Sequence, residues 1–541
     1  MTHLPLGTSQ GVRGYIMGKI SLLDCTLRDG GYVNDWRFGR EAIRGIGPKI
    51  AKSGVEIFEV GFIKGDTYDP DRAVFPDVSA IAKAIAPKQP ELMYVGMVDM
   101  SAPVPMGRLV PKREESLDGI RVIFKKDKQS EGYEMCRELM AAGYPVFVQF
   151  VGTDQYDETE WEEALNRFTP LMPYAISIVD SFGLMKRRQF LEYVKTADRV
   201  LPPAIRLGYH AHNNLQQAFG NAEALVELEL SREVVIDGSV FGMGRGAGNL
   251  NMELFADYMN EYHGANYRVE PMLEIMDAYL QDIYRERFWG YSLPLYLSAK
   301  NGCHPNYAIH FAVKESLTEK SMDELLRGIT PHDKVYFSKE KAEAYYRQYH
   351  ENFLDDQETV RRLNREWQGH DILLIAPGRS LQTYGTEIQR RIEEDRLTVI
   401  TVNFTGDRFR PDYIFSSNMR RYSKFEGHTD AKCIITSNMK EALEYDYMVN
   451  FSSYSSEAPE IIDNSGVMAL KLLAAAGVRH IRIAGMDGYS GDYAADYCND
   501  KVSYDFSKEA NVRNTLIRKE LSEIGKRMRL EFVTPSLYMP S

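Results

Sequence analysis

Leu22-Leu23-Asp24-Cys25-Thr26-Leu27-Arg28-Asp29-Gly30-Gly31 is the stretch from which the rest of the chain can be read. The apolar residues that lead into it predict a buried strand, and a charged pair followed by two glycines predicts its end. A strand that stops this way presents Arg28 and Asp29 from a rigid element. Gly208-Tyr209-His210-Ala211-His212-Asn213-Asn214 has the same character, an apolar strand ending in two histidines. Residues i and i+2 of a strand point to one face, so His210 and His212 can grip one ion together. One carboxylate and two imidazoles at strand ends are the donors of an open metal site. Taken singly, an Asp-Gly pair reads equally well as a turn, and His-x-His as a polar strand end. What joins them is the pattern between.

Eight strand-like runs recur there: Ile20–Cys25, Val55–Val60, Met93–Val98, Ile120–Phe124, Val146–Val151, Ile176–Val179, Ile205–Tyr209 and Val234–Val240. Amphipathic stretches such as Phe38–Lys52, Glu158–Thr169 and Arg187–Val200 separate them. Short, nearly continuous apolar strands alternating with helices predict a parallel sheet covered by helices. Eight such units predict a closed (β/α)8 barrel, in which the site lies at the carboxyl ends of the strands. Arg28 and Asp29 then sit on the first strand and His210 and His212 on the seventh, flanking the eighth.

The 541 residues are too many for one core and predict two or three domains. With 44% hydrophobic and 26% charged residues the chain is globular. Its formal net charge of -12 argues against nucleic acid or an anionic membrane surface as a partner. Cys25, Cys136, Cys303, Cys433 and Cys498 are odd in number, scattered and without a CxxC, which predicts neither a disulfide framework nor a zinc knot and suits a reducing cytoplasm. No apolar run approaches the roughly 20 residues of a membrane span. Met1–Gly18 reads as a lead-in without a signal core, with Met17 as an alternative start.

Asp24-Cys25-Thr26-Leu27-Arg28-Asp29-Gly30-Gly31, together with His210-Ala211-His212-Asn213-Asn214 and Gly242-Met243-Gly244-Arg245-Gly246-Ala247-Gly248-Asn249, resembles the DRE-TIM metallolyase superfamily and, within it, the 4-hydroxy-2-oxovalerate aldolases. The resemblance covers roughly residues 18–310. It implies one divalent ion per chain, Mn²⁺ or Mg²⁺, held by Asp29, His210 and His212. It also implies a lyase acting on a 2-oxo acid such as pyruvate with an aldehyde partner, with Arg28 stabilising the enolate oxygen. Ser181, in Val179-Asp180-Ser181-Phe182-Gly183, matches a family position that helps hold the 2-oxo acid carboxylate; a strand-to-helix cap is the alternative. The aldolases carry a general-base histidine where this chain has Tyr32. A phenol with its usual pKa of about 10 is a poor base at neutral pH. His304, in Asn301-Gly302-Cys303-His304-Pro305, is therefore a second candidate base. The glycine-rich run Gly242–Asn249 follows the last barrel strand rather than opening a βαβ unit, so it predicts a close-packed mouth loop and not a dinucleotide site. Asn249 is placed there to touch substrate or metal, and Tyr291 to reach the site from a helical appendage over 265–345.

Residues 346–370 read as a connecting helix or linker, and 371–541 as a further domain behind the 18–264 barrel. Asp371-Ile372-Leu373-Leu374-Ile375-Ala376-Pro377-Gly378-Arg379-Ser380-Leu381 is a buried strand, a Pro-Gly turn and a helix start. Further strands at Leu397–Val402, Tyr413–Phe415, Cys433–Ile435, Tyr447–Phe451 and Ile481–Ala484 predict a Rossmann-like three-layer α/β domain. Ala376–Leu381 and Ile483-Ala484-Gly485-Met486-Asp487-Gly488-Tyr489 resemble the nucleotide-sugar-using sialyltransferase-like and DUF115-like group. The resemblance implies a nucleotide or nucleotide sugar near Gly378, Arg379, Ser380 and Asp487, where a helix N-terminus offers N–H groups to an anion. A structural turn without a ligand is the alternative. The whole reads as a cytoplasmic, homo-oligomeric, multidomain enzyme with surface-sugar biosynthesis as a setting. Two alternatives stand beside it: a CoA-dependent Claisen-condensing acyltransferase of the isopropylmalate-synthase type, and a C-terminal domain that is a non-catalytic binding or assembly module.

Overall fold

Eight short strands, buried on both faces, close on themselves in the N-terminal half. In the computed structural model, which describes residues 18–314, 317–351, 354–492, 496–498, 505–507 and 509–539, they are β1 (Ile20–Asp24), β2 (Ile57–Ile63), β3 (Met93–Asp99), β4 (Gly119–Phe124), β5 (Val146–Val151), β6 (Ala175–Asp180), β7 (Arg206–Ala211) and β8 (Val234–Gly238). The lead-in up to Met17 lies outside the described residues. Each strand pairs in parallel with its successor, and β1 pairs with both β2 and β8, so the sheet is a closed barrel. A two-residue strand, Val74–Phe75, adds to β2 only. The strands are rich in Val, Ile and Phe because helices cover their outer faces, leaving no face for water.

Helices return the chain in the way their patterns require. In Arg187–Val200, Phe190, Tyr193, Val194 and Ala197 form one buried stripe, and the helix stops where Leu201 precedes Pro202. Burying a side chain such as Phe190 stabilises by about 1.5–3 kcal/mol. Glu158–Phe168 opens with a capping box in which the Glu160 N–H donates to Asp157 at 2.8 Å and the Asp157 N–H donates to Glu160 at 2.9 Å. Asp157→Ala removes that cap and costs about 1 kcal/mol.

The chain divides into two compact units, Met1–Pro305 and Asn306–Ser541, a division that falls inside the helical stretch 265–345. Glu270–Ile275, Gln281–Glu286 and Leu293–Lys300 belong to the first unit, and Glu319–Gly328 and Lys339–His350 to the second. Residues 346–370 contain the helix Gln357–Trp367, whose Leu363 and Trp367 enter the core of the second unit.

That second core is built on seven parallel strands: β9 (Ile372–Ile375), β10 (Thr398–Val402), β11 (Tyr413–Ser416), β12 (Lys432–Thr436), β13 (Tyr447–Val449), β14 (His480–Ala484) and β15 (Arg529–Phe532). Their order across the sheet is β13-β12-β11-β10-β9-β14-β15. The chain starts in the middle, builds outward through β13 and then crosses to the other side of β9. β15 has no counterpart among the strands read from sequence. Arg529-Leu530-Glu531-Phe532 alternates charged and apolar residues, as suits a part-exposed edge strand, and so lacks the apolar run that marks the central ones. No helix among the described residues is long and apolar enough to cross a membrane.

Candidate active site at the barrel mouth

β1 ends at Asp24, and Arg28 and Asp29 sit on the tight turn beyond it rather than on the strand. The Asp29 N–H donates to the Cys25 carbonyl at 2.8 Å, while Thr26 donates to Asp24 through both its N–H (3.1 Å) and its hydroxyl (2.7 Å). These bonds keep Arg28 and Asp29 as rigid as strand residues, and both are essentially buried. His210 is the penultimate residue of β7 and His212 follows it immediately. Their rings lie 5.4 Å apart, on one face as the i, i+2 spacing requires. The mouth loop bends beneath them: Gly183 has φ +62, and a Cβ there would stand 2.7 Å from the His212 carbonyl.

Asp29, His210 and His212 converge. One donor atom from each lies within 4.8 Å of the others, and all three residues are buried. His210 Nε2 is 3.4 Å and His212 Nε2 3.9 Å from the Asp29 carboxylate. Burial pushes His212 down to about 4, so its imidazole is neutral with a free lone pair. Its Nδ1 is buried without a hydrogen-bond partner. Burial alone drives His210 down as well, but hydrogen bonds to Asp237 and Asp29 outweigh it and raise its pKa. Asp29 shows the converse: burial pushes it up, yet Arg28 and the two histidines hold it well below the usual carboxylate range. The donor set, a carboxylate with two imidazoles, fits a divalent ion. His210 also makes the contact expected of a metal-binding imidazole, with Nδ1 against the Asp237 carboxylate at 3.0 Å.

Behind the trio lies a closed ring of buried charge that sequence reading missed. Arg28 Nε donates to Glu59 at 2.8 Å and a second guanidinium nitrogen to Asp29. Arg121, fully buried on β4, donates to the same Glu59 at 2.8 Å and to Asp237. Asp237 meets His210, and His210 faces Asp29, which completes the circuit. Gln149 and Ser177 extend it: Arg121 donates to Gln149 Oε1 at 3.1 Å, and Gln149 Nε2 to Ser177 at 2.8 Å. Two guanidiniums and three carboxylates in a dry interior are tolerable only because nearly every donor finds a carboxylate or amide. The available signal was a charged residue inside an apolar strand: Glu59 in Ile57–Ile63, Arg121 in Gly119–Phe124, Asp237 in Val234–Gly238. These three strands face the lumen with those positions, so the ring forms only once the barrel closes.

The other sequence candidates fall as follows. Ser181 accepts the Gly152 N–H at 2.9 Å and is nearly buried beside the mouth. Asn249 donates to the Met243 carbonyl at 3.0 Å, pairs its backbone in a bridge with His212, and leaves its buried Oδ1 without a partner. Tyr32 stands 41% exposed at the mouth, edge-on to Trp36. Burial and Asp29 push its phenol up rather than down, so Tyr32 holds its proton at neutral pH. His304 packs against Phe182 with ring centres 5.3 Å apart, and its ring nitrogens meet the Arg245 guanidinium. Burial, Arg245 and Lys125 push it down to about 2, which makes it a weak base in this state. Tyr291 is about half exposed and makes no hydrogen bond or ring contact among the described residues. Arg245, on the Gly242–Asn249 loop, was not singled out by sequence; its N–H donates to Asp29 at 3.3 Å.

In the second unit, Gly378, Ser380 and Asp487 come together. The Ser380 N–H donates to Asp487 at 2.7 Å and its hydroxyl at 2.5 Å, so a carboxylate of the protein itself occupies the helix N-terminus that sequence offered to an anion. Arg379 is exposed. A cleft of about 130 Å³ opens next to this turn, at the carboxyl ends of β9, β10 and β14 where the strand order reverses. Ala376–Gly378, Asn403 and Gly485–Tyr489 line it, with the nearly buried Arg421 and Arg513.

Comparison with known proteins bears on the barrel. Residues 134–278 match the HMGL-like family model. The matched stretch contains β5 to β8 of the barrel. Among curated relatives, a 4-hydroxy-2-oxovalerate aldolase from Pelotomaculum thermopropionicum is 26% identical over 268 residues, 48% of this chain and 75% of the relative. One of the same name from Roseiflexus castenholzii is 26% identical over 272 residues, 48% of this chain and 76% of its own length. The HMG-CoA lyase from Brucella melitensis is a solved structure with 15% identity and a TM-score of 0.38, covering 48% of this chain and 96% of its own. The HMGL-like match and the buried carboxylate–imidazole trio together support a lyase that uses a divalent metal.

Proposed function

We propose that the barrel joins or cleaves a carbon–carbon bond between a 2-oxo acid, of which pyruvate is the simplest, and an aldehyde. The observation that carries this is the convergence of Asp29, His210 and His212 with the buried Arg28 guanidinium at the mouth of an HMGL-like barrel. Asp29, His210 and His212 would hold one Mn²⁺ or Mg²⁺ ion, which would supply Lewis acidity at the keto oxygen of a 2-oxo acid. Arg28 is held on two sides by Asp29 and Glu59, so its planar cation is aimed before any substrate arrives. That preorganisation suits an enolate oxygen, where charge develops as the adjacent carbon loses its proton or its partner. Ser181 and the unpartnered Asn249 Oδ1 lie near the mouth to orient the acid. Tyr32, whose phenol keeps its proton, donates it to the aldehyde oxygen as the new bond forms, while solvent at this part-exposed residue takes the proton the 2-oxo acid loses and returns one to the phenolate. His304 is weak as a base while Arg245 stands against it, so the donor role falls to Tyr32. The test is a screen with added Mn²⁺ or Mg²⁺ for pyruvate consumption or release across aldehydes, run beside an acyl-CoA thiol-release assay. Metal-dependent pyruvate turnover supports the aldol reading. Thiol release without it supports the Claisen-condensing alternative.

For the second unit we propose a ligand that carries both an anion and hydroxyl or aromatic groups, such as a nucleotide or nucleotide sugar, in the cleft by Gly378. Its position at the strand-order reversal is where open α/β sheets bind ligands. Arg421 lies 5.7 Å from the centre of the Tyr497 ring, and Arg513 3.7 Å from that of Phe506. These are cations set beside aromatic faces, and the Asp463 and Asp496 carboxylates on the same wall suit sugar hydroxyls. A panel of nucleoside phosphates and sugar nucleotides should raise the melting temperature of the full chain, and Arg421→Ala should abolish the shift. A flat response across the panel favours the binding or assembly module instead.

A further inference from the structure

We propose that Arg245 makes the barrel selective for an anionic acceptor, an aldehyde that bears a carboxylate or phosphate away from its carbonyl. The inference rests on the aldol reading above and names the substrate class of that site. Arg245 is tied to the metal-ligand trio by its backbone, whose N–H donates to Asp29 at 3.3 Å. Its side chain carries the guanidinium to the His304 ring, with one nitrogen 3.3 Å from Nδ1. The guanidinium carbon also stands 5.5 Å from the centre of the Tyr32 ring.

The contrast with the buried arginines of this unit is what points outward. Arg28 is matched by Asp29 and Glu59, Arg121 by Glu59 and Asp237, and Arg232 by Asp198. Arg245, only part-exposed, has no carboxylate within ion-pair distance among the described residues. A guanidinium has donors and no acceptor, and a neutral imidazole offers it one lone pair, so most of its five N–H groups have no acceptor among the described residues. The fork geometry of a guanidinium fits a carboxylate or phosphate through two parallel bonds. The charge is also well placed along the reaction axis. Because Arg245 stands beside Tyr32, an acceptor whose carbonyl oxygen met Tyr32 would bring an anionic far end within reach of the guanidinium, whereas the carboxylate of pyruvate would go with its keto oxygen to the trio. Arg245 is therefore matched to the second substrate and not to the first.

The test compares three aldehydes with pyruvate and Mn²⁺: propionaldehyde, which is neutral, succinic semialdehyde, with a carboxylate, and glyceraldehyde 3-phosphate. Wild-type protein should favour one or both anionic aldehydes in kcat/KM. Arg245→Ala should reduce the ratio of anionic to neutral kcat/KM by roughly 30-fold or more, with the loss in the KM for aldehyde and not in that for pyruvate. Arg245→Lys should recover part of it. Succinate and inorganic phosphate are titrated by calorimetry into wild type and Arg245→Ala, which reads the seat without any turnover. An anion that binds wild type and loses roughly 30-fold in affinity in Arg245→Ala upholds the seat even if no aldehyde reacts, in which case the aldol reading alone fails. Equal selectivity ratios in wild type and Arg245→Ala, a KM change confined to pyruvate, or anion affinity indifferent to Arg245 overturns the inference while leaving the aldol reading intact. The carboxylate and phosphate arms show which anion the seat prefers.

Discussion

Asp237→Asn separates the metal assignment from mere burial of charge. Asp237 Oδ2 accepts from His210 Nδ1 at 3.0 Å and also receives Arg121, and all three side chains are nearly or wholly inaccessible. Asparagine keeps the shape but carries no charge, and only one of its two terminal atoms accepts. Both partners meet the one oxygen Oδ2, so an asparagine carbonyl there still faces His210 and Arg121 but brings a neutral dipole where a carboxylate charge stood. Loss of a carboxylate that orients a metal-binding imidazole typically weakens the ion about 10–100-fold, or about 1.4–2.7 kcal/mol. The carboxylate charge lost beside the buried Arg121 costs a further 1–3 kcal/mol or so of folding stability. Calorimetric titration with Mn²⁺ reads the first effect, and urea unfolding of the metal-free protein the second. The expected result is one site per chain with weakened affinity and a lowered urea midpoint. A Kd for Mn²⁺ unchanged from wild type, in a variant that folds, would mean that His210 is not a ligand or that Asp237 does not position it.

The remaining predictions concern the same mouth. His212→Ala should abolish bound metal, measured by elemental analysis after dialysis against Mn²⁺, while the far-ultraviolet circular dichroism is kept; full metal content would remove His212 from the donor set. Arg28→Lys should retain the metal yet lose about 10²–10³-fold in kcat, because an ammonium reproduces neither the planar oxyanion contact nor the double grip of Asp29 and Glu59. Near-normal turnover would make Arg28 a structural ion-pair member only. Burial raises Asp24 and Asp180 from 3.8 to about 7, so the folded state binds their protons more tightly than the unfolded chain does. The stability this contributes is fully present below about pH 3.8 and is lost as the pH rises through about 7. The buried neutral His212 and His304 act the other way across the same window, so the measurement is the difference between proteins: the melting temperature of metal-free Asp180→Asn should climb relative to wild type as the pH rises from about 3.8 to 7, and an unchanged difference would assign the effect to other groups.

The residues that sequence could rank by chemistry alone came together as expected. Asp29, His210 and His212 carry donor types and a two-residue spacing whose geometry is local: a strand fixes which way i and i+2 point, and a turn rich in short-range hydrogen bonds fixes Asp29. The eight-strand barrel is legible for a similar reason. Its repeated apolar runs have no polar face, and only a sheet covered by helices can bury them. The central strands of the second unit follow the same rule, while edge strand β15 escapes it because half of its surface meets water. What the tertiary structure alone decided is everything that depends on strand parity and closure. Glu59, Arg121 and Asp237 are far apart in sequence, and nothing local distinguishes a charge aimed into the lumen from one aimed at solvent. Barrel closure brings them into one ring with Arg28 and His210. The reading of His304 likewise depended on a neighbour 59 residues away in the chain: an imidazole looks like a base until Arg245 is set against it. The Ser380 helix N-terminus looked open to an anion until Asp487, 107 residues further on, filled it. Electrostatic energies depend on distance in space, and distance in space between remote residues is set by the fold.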